Sequence, residues 1–211
     1  MSSTPAPDQP RPTASARPGG RTARIRAQVL DAVRAELSEN GYDALTVDTV
    51  AARSGVHRTT VYRRWRDVGG LLTDVFDDAG DNDWRPRDTG SLHGDLAALN
   101  HEIQQSLTEQ PSLAIALIAA SFRSDEAARA LLRLWEGKYA DCEIIIERAI
   151  RRGELPEGTD ARAVLLAATA PIYHQLVLLR ATPDPSLPDH AARTATLAAS
   201  AGAFTSPHSP N

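Results

Sequence analysis

The 211-residue sequence predicts an all-α protein, and three observations support this. Apolar residues recur at three- and four-residue spacing along most of the chain, which is the period of a helix with one buried face. Glycines and N-capping residues fall between these stretches, where helices are expected to end and begin. No segment shows the alternation of apolar and polar residues that is typical of a half-buried strand. We therefore expect an N-terminal three-helix domain followed by a C-terminal helical bundle.

The first helix is predicted to start near Arg21 and to end at Gly41 in a left-handed cap. Thr46 is a predicted N-cap for the second helix, which ends at Gly55. A third short helix follows over residues 57–65, and Asp67 is predicted to cap a fourth. The apolar face of the first helix consists of Ile25, Val29, Val33 and Leu37.

The rest of the chain is also predicted to be helical. Residues 77–90 are polar and contain Pro and Gly, so we predict a helix end and linker there. Pro171 is expected to kink the helix in which it lies. Residues 1–20 have too few apolar groups to offset the entropy of ordering, so a flexible basic arm is expected there, and a disordered tail over 206–211. The predicted C-terminal helices span about 92–110, 112–122, 124–152, 160–180 and 190–203.

The charge is distributed unevenly along the chain. Residues 1–76 contain 11 Lys and Arg against 8 Asp and Glu, whereas the remainder contains 12 against 19. This asymmetry favours an anion-binding module joined to a part with another task. The single cysteine, Cys142, excludes an internal disulfide and a multi-cysteine metal site, and we expect neither a metal nor a cofactor.

No membrane contact is expected from the sequence. No apolar run reaches the roughly 18 residues of a membrane span. The N-terminus lacks the apolar segment of a secretory signal. We therefore expect a cytoplasmic protein.

Residues 46–67, TVDTVAARSGVHRTTVYRRWRD, contain five arginines and no acidic residue from 49 to 66. Ala51 is small where two helices must approach closely, and Gly55 can adopt the positive φ of a tight turn. Val61 and Trp65 lie four residues apart on one helical face. The other side chains are hydroxyls, a phenol and guanidiniums, which donate hydrogen bonds to phosphates and base edges in a DNA major groove. The stretch predicts a DNA-binding helix-turn-helix, and a basic helix that is merely solvated is the alternative.

Residues 24–76 resemble the DNA-binding domain of the tetracycline-repressor (TetR) family. The resemblance rests on Gly41-Tyr42, Leu45-Thr46-Val47, Val50-Ala51 and the recognition segment GVHRTTVYRRW. It implies an all-helical homodimer that binds an inverted repeat in double-stranded DNA, usually as a repressor. It also implies a C-terminal domain that forms the dimer interface and often binds a small-molecule effector. The corresponding domains are 21–67 for DNA binding, 68–90 for a connecting helix and linker, and 91–205 for the C-terminal domain.

The resemblance also implies roles for individual residues, with two departures from the family pattern. His57 replaces the usual serine, so we expect a poor helix cap that still contacts phosphate. Val68-Gly69 replaces a common Lys-Glu pair, and Arg66 is expected to compensate. The implied contacts are Thr46 and His57 with phosphate, Arg58, Thr59 and Thr60 with bases, Tyr62 with the backbone, and Arg63, Arg64 and Arg66 nearby.

The C-terminal half contains two sets of candidate site residues. Apolar faces on the last two long helices predict a two-fold four-helix dimer interface, with burial inside one subunit as the alternative. The interface candidates are Leu165, Ala168, Ile172, Leu176, Leu179, Leu197 and Ala201. An aromatic stripe on the middle helix predicts a ligand pocket, although an ordinary core gives the same spacing. The pocket candidates are His101, Phe122, Trp135, Tyr139, Cys142, Tyr173 and His174.

The sequence gives little support to an enzyme. It has no phosphate-binding glycine loop, metal-ligand spacing or nucleophile elbow. His101-Glu102 lacks a second histidine four residues on, so it is not a zinc-protease motif. We expect a transcriptional regulator, most simply a repressor released by an effector. A helical protein-interaction module, or a regulator without a small-molecule ligand, is the alternative.

Overall fold

The computed structural model describes residues 18–80 and 84–205, and within them every regular element is helical. The prediction of an all-α fold is therefore confirmed. A short 3₁₀ turn at Tyr42–Ala44 and a π-helical segment at His174–Leu178 accompany the α-helices. The α-helices are α1 Pro18–Asn40, α2 Val47–Ser54, α3 Arg58–Trp65, α4 Val68–Gly80, α5 Leu92–Thr108, α6 Leu113–Ser121, α7 Asp125–Arg151, α8 Ala161–Tyr173 and α9 Leu187–Ser200.

Two helices begin earlier than predicted, and both have a proline in or next to the first turn. Helix α1 begins at Pro18, so residues 18–20, the last three of the predicted arm, are helical. Residues 1–17 lie outside the described part of the chain. Helix α9 begins at Leu187 with Pro188 in its first turn, not at His190. Proline is favoured there because its φ is already helical and its missing N–H has no helical partner to lose. The predicted tail, 206–211, also lies outside the described residues.

The helix-end predictions around the turn are confirmed. The Thr46 hydroxyl accepts a hydrogen bond from the Thr49 N–H at 3.0 Å, and the Thr49 hydroxyl accepts one from the Thr46 N–H. Gly55 ends α2 with φ 68°, in the left-handed region. The Asp67 carboxylate accepts a bond from the Gly70 N–H at 2.9 Å at the start of α4. These caps fix the entry and exit angles of the two short helices.

The N-terminal core is closed by helices from the C-terminal half. We call α1–α4 the head. Its apolar cluster includes fully buried Val33, Val61 and Leu71. The same cluster contains Leu117 of α6 and Ala127 of α7, so the head shares its core with both helices. A movement of α6 or α7 must therefore repack the head.

Ion pairs also hold α1 against α4. The Arg26 guanidinium contacts Asp74 at 2.7 Å and Asp78 at 2.5 Å, and Arg34 pairs with the other Asp78 oxygen. The hydrogen bond to Asp74 raises the pKa of Arg26. Because these groups are only partly exposed, screening by salt is weaker than at an open surface.

The second half of the chain forms a bundle of α5, α7, α8 and α9. Its core includes fully buried Leu96, Ile145 and Val164. Leu165, Ala168 and Ile172 are also completely buried inside the subunit, so their prediction as dimer contacts was wrong. Their spacing correctly indicated an apolar helical face, but that face packs on helices of the same chain and not on a second subunit.

One segment reaches membrane-spanning length, contrary to expectation. Ala161–Leu178, which covers α8 and its π-helical continuation, is long and apolar enough by length and composition to cross a membrane. Core helices of helical bundles meet the same criterion. Val164 and Ile172 of this segment are fully buried within the fold, so packing accounts for part of its apolar character, whereas Leu166 and Leu178 are exposed.

Candidate nucleic-acid interface and ligand cavity

The recognition helix α3 is held by its inner face. Val61 is fully buried and Trp65 is 5% exposed in the head core. The Trp65 indole N–H donates to Asp74 Oδ2 at 2.8 Å, which links α3 to α4. With one face buried in this way, the opposite face of a two-turn helix must point to solvent.

The outer face of α3 carries the predicted DNA-binding side chains. Arg58, Thr59, Tyr62 and Arg63 are exposed, and Thr60 is half-buried. The Arg58 guanidinium lies 5.1 Å from the centroid of the Tyr62 ring, and its Nε is 2.7 Å from Asp48 Oδ1. These contacts raise the pKa of Arg58, the Tyr62 hydroxyl having the larger effect and Asp48 the next. The arginine is thus charged and oriented beside a phenol on the surface.

The five arginines of this stretch do not share one environment. Arg53 Nε pairs with Glu36 Oε1 at 2.7 Å, and its terminal nitrogens pair with Glu39, so it ties α2 to α1. The Arg64 guanidinium covers the Trp65 ring at 4.9 Å. Arg63 has no hydrogen bond or ion pair within the described residues, which makes it the most available cation of α3. Arg66 ends α3 with φ 64°, an uncommon conformation for a non-glycine residue.

His57 caps α3, although we expected a poor cap. Its Nδ1 accepts a hydrogen bond from the Thr59 N–H at 3.4 Å and lies 2.9 Å from the Thr59 hydroxyl. The imidazole therefore takes the place of the usual hydroxyl, through a long bond. Its ring and Thr46 both lie at the surface beside the helix-turn-helix.

A cavity of about 320 Å³ lies among α5, α6, α7 and α8. Aliphatic and aromatic side chains form most of its wall, with a few polar groups among them. The lining residues are Trp84, Leu99, Glu102, Ile103, Ser106, Ala114, Leu117, Ile118, Leu131, Leu134, Trp135, Lys138, Tyr139, Cys142, Leu165, Thr169 and Tyr173.

Four of the predicted pocket residues line this cavity: Trp135, Tyr139, Cys142 and Tyr173. The other three do not line it. His101 faces α9, where its Nε2 lies 3.1 Å from Asp189. Phe122 is 76% exposed at the end of α6, and His174 is exposed in the π-helical segment.

In the aromatic wall one ring pair packs edge to face and a second pair is tilted. The ring of Trp135 lies 5.2 Å from that of Tyr173 at 88°, and 6.1 Å from that of Tyr139. Burial raises the pKa of the Cys142 thiol to about 12 and raises the pKa of Tyr173 above its usual value. Both groups are therefore protonated at neutral pH, and the cavity disfavours negative charge.

Sequence reasoning missed the polar corner of the cavity. Trp84 comes from the segment predicted as linker, and its indole N–H donates to Glu102 Oε2 at 2.9 Å. Arg87 donates to the other Glu102 oxygen at 3.1 Å, and Lys138 Nζ lies 5.3 Å over the Trp84 ring. A tryptophan in a polar connector was the available signal, because such a side chain has to find an apolar surface.

Several apolar side chains remain exposed on α8, the π-helical segment and α9, and we call this set the α8–α9 surface. Leu179 and Leu197 belong to it, as does Ala201 just after α9, whereas Leu176 is half-buried. Leu166 and Leu178 are exposed there as well, although the sequence did not single them out. An exposed group of large apolar residues is typical of a protein interface.

Comparisons with known proteins agree with this architecture. Residues 29–75 match "Bacterial regulatory proteins, tetR family", and residues 86–195 match "Tetracyclin repressor-like, C-terminal domain". The transcriptional regulator AqdR of Rhodococcus erythropolis is 33% identical over 172 residues, which cover 81% of this chain and 83% of the relative. The DNA-binding transcriptional repressor TetR of Mycobacteroides abscessus is 30% identical over 67% of this chain and 76% of the relative.

A solved structure is similar along nearly its whole length. The TetR family regulator SCO0332 has a TM-score of 0.63 at 25% identity and matches 82% of this chain and 97% of its own. The sequence profiles, the relatives and the helix-turn-helix geometry agree. This chain belongs to the tetracycline-repressor (TetR) family of helix-turn-helix transcriptional regulators.

Proposed function

We propose that this protein is a cytoplasmic repressor that binds a palindromic operator as a homodimer and leaves it when a small effector fills the cavity. The observation that carries the DNA-binding part is the two-sided character of α3. Val61 and Trp65 anchor its inner face, while Arg58, Tyr62 and Arg63 face solvent. Such a helix can enter a major groove without disturbing the head.

Thr59 and Thr60 on α3 suit base-edge contacts, while the guanidiniums suit phosphates and guanines. Thr46 and His57 lie beside them at the helix starts, where phosphate contacts are favoured. Arg53 is excluded from this role because Glu36 and Glu39 hold it against α1.

The α8–α9 surface is the proposed dimer interface. Leu166, Leu178 and Leu197 are exposed in one chain, and a two-fold axis would bury each against the same surface of a second chain. Two tethered heads then bind half-sites about 34 Å apart with a high effective concentration. This assignment replaces the buried residues of α8 with exposed ones.

The cavity and the head share side chains, which supports effector control. Leu117, Leu131 and Leu134 line the cavity, and all three also pack in or against the head core. A ligand that moves α6 or α7 therefore also moves α4 and the recognition helix α3, which packs against α4. An effector that binds this second arrangement better shifts the population away from DNA.

The test begins with selection of bound fragments from random or genomic DNA. Affinity for the recovered site is then measured by fluorescence anisotropy at several salt concentrations. Arg63→Ala is expected to weaken binding and to lower the salt slope by about one, because one phosphate contact is lost. Arg58→Ala and Tyr62→Ala are also expected to weaken binding while the protein stays folded.

Arg53→Ala is the matched control, since it removes an arginine of the same stretch whose guanidinium is already paired with Glu36 and Glu39 of α1. It should cost stability but leave the salt slope unchanged. If the three α3 variants bind the site as tightly as wild type, α3 is not the reading helix. If instead the protein shows no preferred DNA and binds an acidic protein, the interaction-module alternative is correct.

A further inference from the structure

We propose that the effector of this protein is an uncharged, small aromatic compound with a hydrogen-bond acceptor oxygen that faces Tyr139 and Tyr173. This inference rests on the proposed function and specifies the chemistry of its ligand. It follows from which groups in the cavity wall are already engaged and which are not.

Size limits the ligand first. Small-molecule sites span roughly 300–1,000 Å³, and this cavity of about 320 Å³ lies at the lower end. The aromatic side chains Trp135 and Tyr173 give it flat apolar walls. A compact ring system fits such walls better than a long flexible chain, which would lose more conformational freedom on binding.

A cationic ligand is disfavoured because protein cations already occupy two of the aromatic rings. Lys138 Nζ lies 5.3 Å over the Trp84 ring, and the Arg162 guanidinium lies 3.9 Å over the Tyr139 ring. The face of an aromatic ring attracts a cation. At these two rings a ligand cation would meet a like charge instead of an open face.

An anionic ligand is disfavoured as well. The Glu102 carboxylate is part of the wall. The buried environment also raises the pKa values of Cys142 and Tyr173, mainly by desolvation, and the same desolvation would penalise a ligand carboxylate.

The polar groups of the wall differ in what they offer a ligand. Ser106 and Thr169 donate to carbonyls of their own helices, each at 2.9 Å, and Glu102 accepts from Trp84 and Arg87. The hydroxyls of Tyr139 and Tyr173 have no hydrogen-bond partner within residues 18–80 and 84–205. The same holds for the Trp135 indole N–H, so these three groups are donors still available to a ligand, and an acceptor oxygen is the group that complements them.

Four naphthalenes substituted at the same ring carbon test the proposal by isothermal titration calorimetry with the full-length protein. They are acetylnaphthalene, naphthoate, (naphthylmethyl)ammonium and ethylnaphthalene. We expect the ketone to bind best, with each of the others roughly tenfold weaker or more, equivalent to about 1.4 kcal/mol. Tyr173→Phe should remove the preference for ketone over hydrocarbon and leave the hydrocarbon affinity unchanged. Tyr42→Phe, which removes a phenol in the head, is the control.

The outcomes separate the ligand class from the regulatory role. If the carboxylate or the ammonium binds as tightly as the ketone, or if none of the four binds, the proposed class is overturned. Equal binding of ketone and hydrocarbon would overturn the part assigned to the phenols. Operator affinity of the same preparation is measured separately. A ligand-free protein that binds no preferred operator but still binds the ketone refutes the proposed function alone. A protein that binds an operator but not the ketone refutes the ligand class alone.

Discussion

The head and the C-terminal bundle use tryptophan in opposite ways. In the head, Trp65 is buried, hydrogen-bonded to Asp74 and part of a core cluster with residues from both halves of the chain. In the bundle, Trp135 is half-buried and faces a cavity beside two tyrosines. The head fills its interior with the tryptophan ring, whereas the bundle leaves part of the ring surface open to a cavity.

The difference reflects what the structure of each region has to do. The head must hold α3 at a fixed angle, so its core is filled with apolar side chains and its partly buried charges are paired, as in Arg26–Asp74 and Arg53–Glu36. In the proposed function the bundle binds another molecule and another chain, which agrees with its internal space and its exposed leucines. A regulator needs both properties, joined by side chains such as Leu117 that belong to the head core and the cavity wall together.

The largest expected effect is on stability, when each of the two tryptophans is replaced by alanine in a separate variant. Trp65→Ala should lower the free energy of unfolding by roughly 3–5 kcal/mol, the usual cost of removing a large buried aromatic. Trp135→Ala should lower the free energy of unfolding by less than about 2 kcal/mol, because its ring is only half-buried and already borders the cavity. Urea denaturation followed by circular dichroism measures both values.

Trp65→Phe refines this comparison. It keeps an aromatic ring in the core but removes the hydrogen bond to Asp74, so its stability should lie between wild type and Trp65→Ala. Equal losses of unfolding free energy for Trp65→Ala and Trp135→Ala would mean that the head and the bundle are packed alike around these rings.

A smaller effect is expected at the α8–α9 surface. Leu197, which is 66% exposed, is proposed to be buried only in the dimer. Leu197→Glu should weaken dimerisation by about tenfold to a hundredfold, or about 1.4–2.8 kcal/mol, since it places carboxylates at the interface. Sedimentation velocity at several concentrations measures the change, and the unfolding of the separated chain should stay near that of wild type.

Leu132→Glu is the control, because Leu132 is similarly exposed but lies on α7, outside the proposed interface. Dimerisation unaffected by Leu197→Glu, or weakened equally by Leu132→Glu, would place the interface elsewhere.

Sequence reasoning predicted the head better than the bundle. Capping by Thr46, the turn at Gly55 and the burial of Val61 and Trp65 follow from local rules of helix geometry, so they could be derived from spacing alone. Arg53 shows the limit within this region, since the glutamates that bind it come from α1, fourteen and seventeen residues away in the chain.

In the bundle, the same helical spacing fits both a core and an interface. Leu165 and Leu166 are neighbours, yet one is completely buried and the other exposed. Only the arrangement of α5, α7 and α9 decides which face is inside. Likewise His101 lay on a plausible helix, but its rotation turns the ring toward Asp189 and away from the cavity. Tertiary packing, which a single sequence does not display, determined these cases.

The smallest predicted effect concerns the thiol in the cavity wall. Burial raises the pKa of Cys142 from 9.0 to about 12, so the folded protein keeps its proton where the unfolded chain loses it. The contribution of this group to stability is complete below pH 9 and is lost as the pH rises toward 12, because the unfolded state then binds fewer protons. Between pH 8 and pH 10 wild type should lose about 1.4 kcal/mol from this group alone.

Cys142→Ser removes the titrating thiol and should remove that part of the pH dependence. Urea unfolding of both proteins at pH 8 and pH 10 gives the loss of unfolding free energy for each. The loss in wild type minus the loss in Cys142→Ser isolates the thiol, because the other titrating groups contribute equally to both. Saturation with the ketone probe should leave the difference in place, since an uncharged ligand does not change which state holds the proton. If the two proteins lose equal stability between pH 8 and pH 10, the thiol is solvated in the folded state. The bundle would then lack a dry cavity wall, and desolvation would no longer disfavour an anionic ligand there.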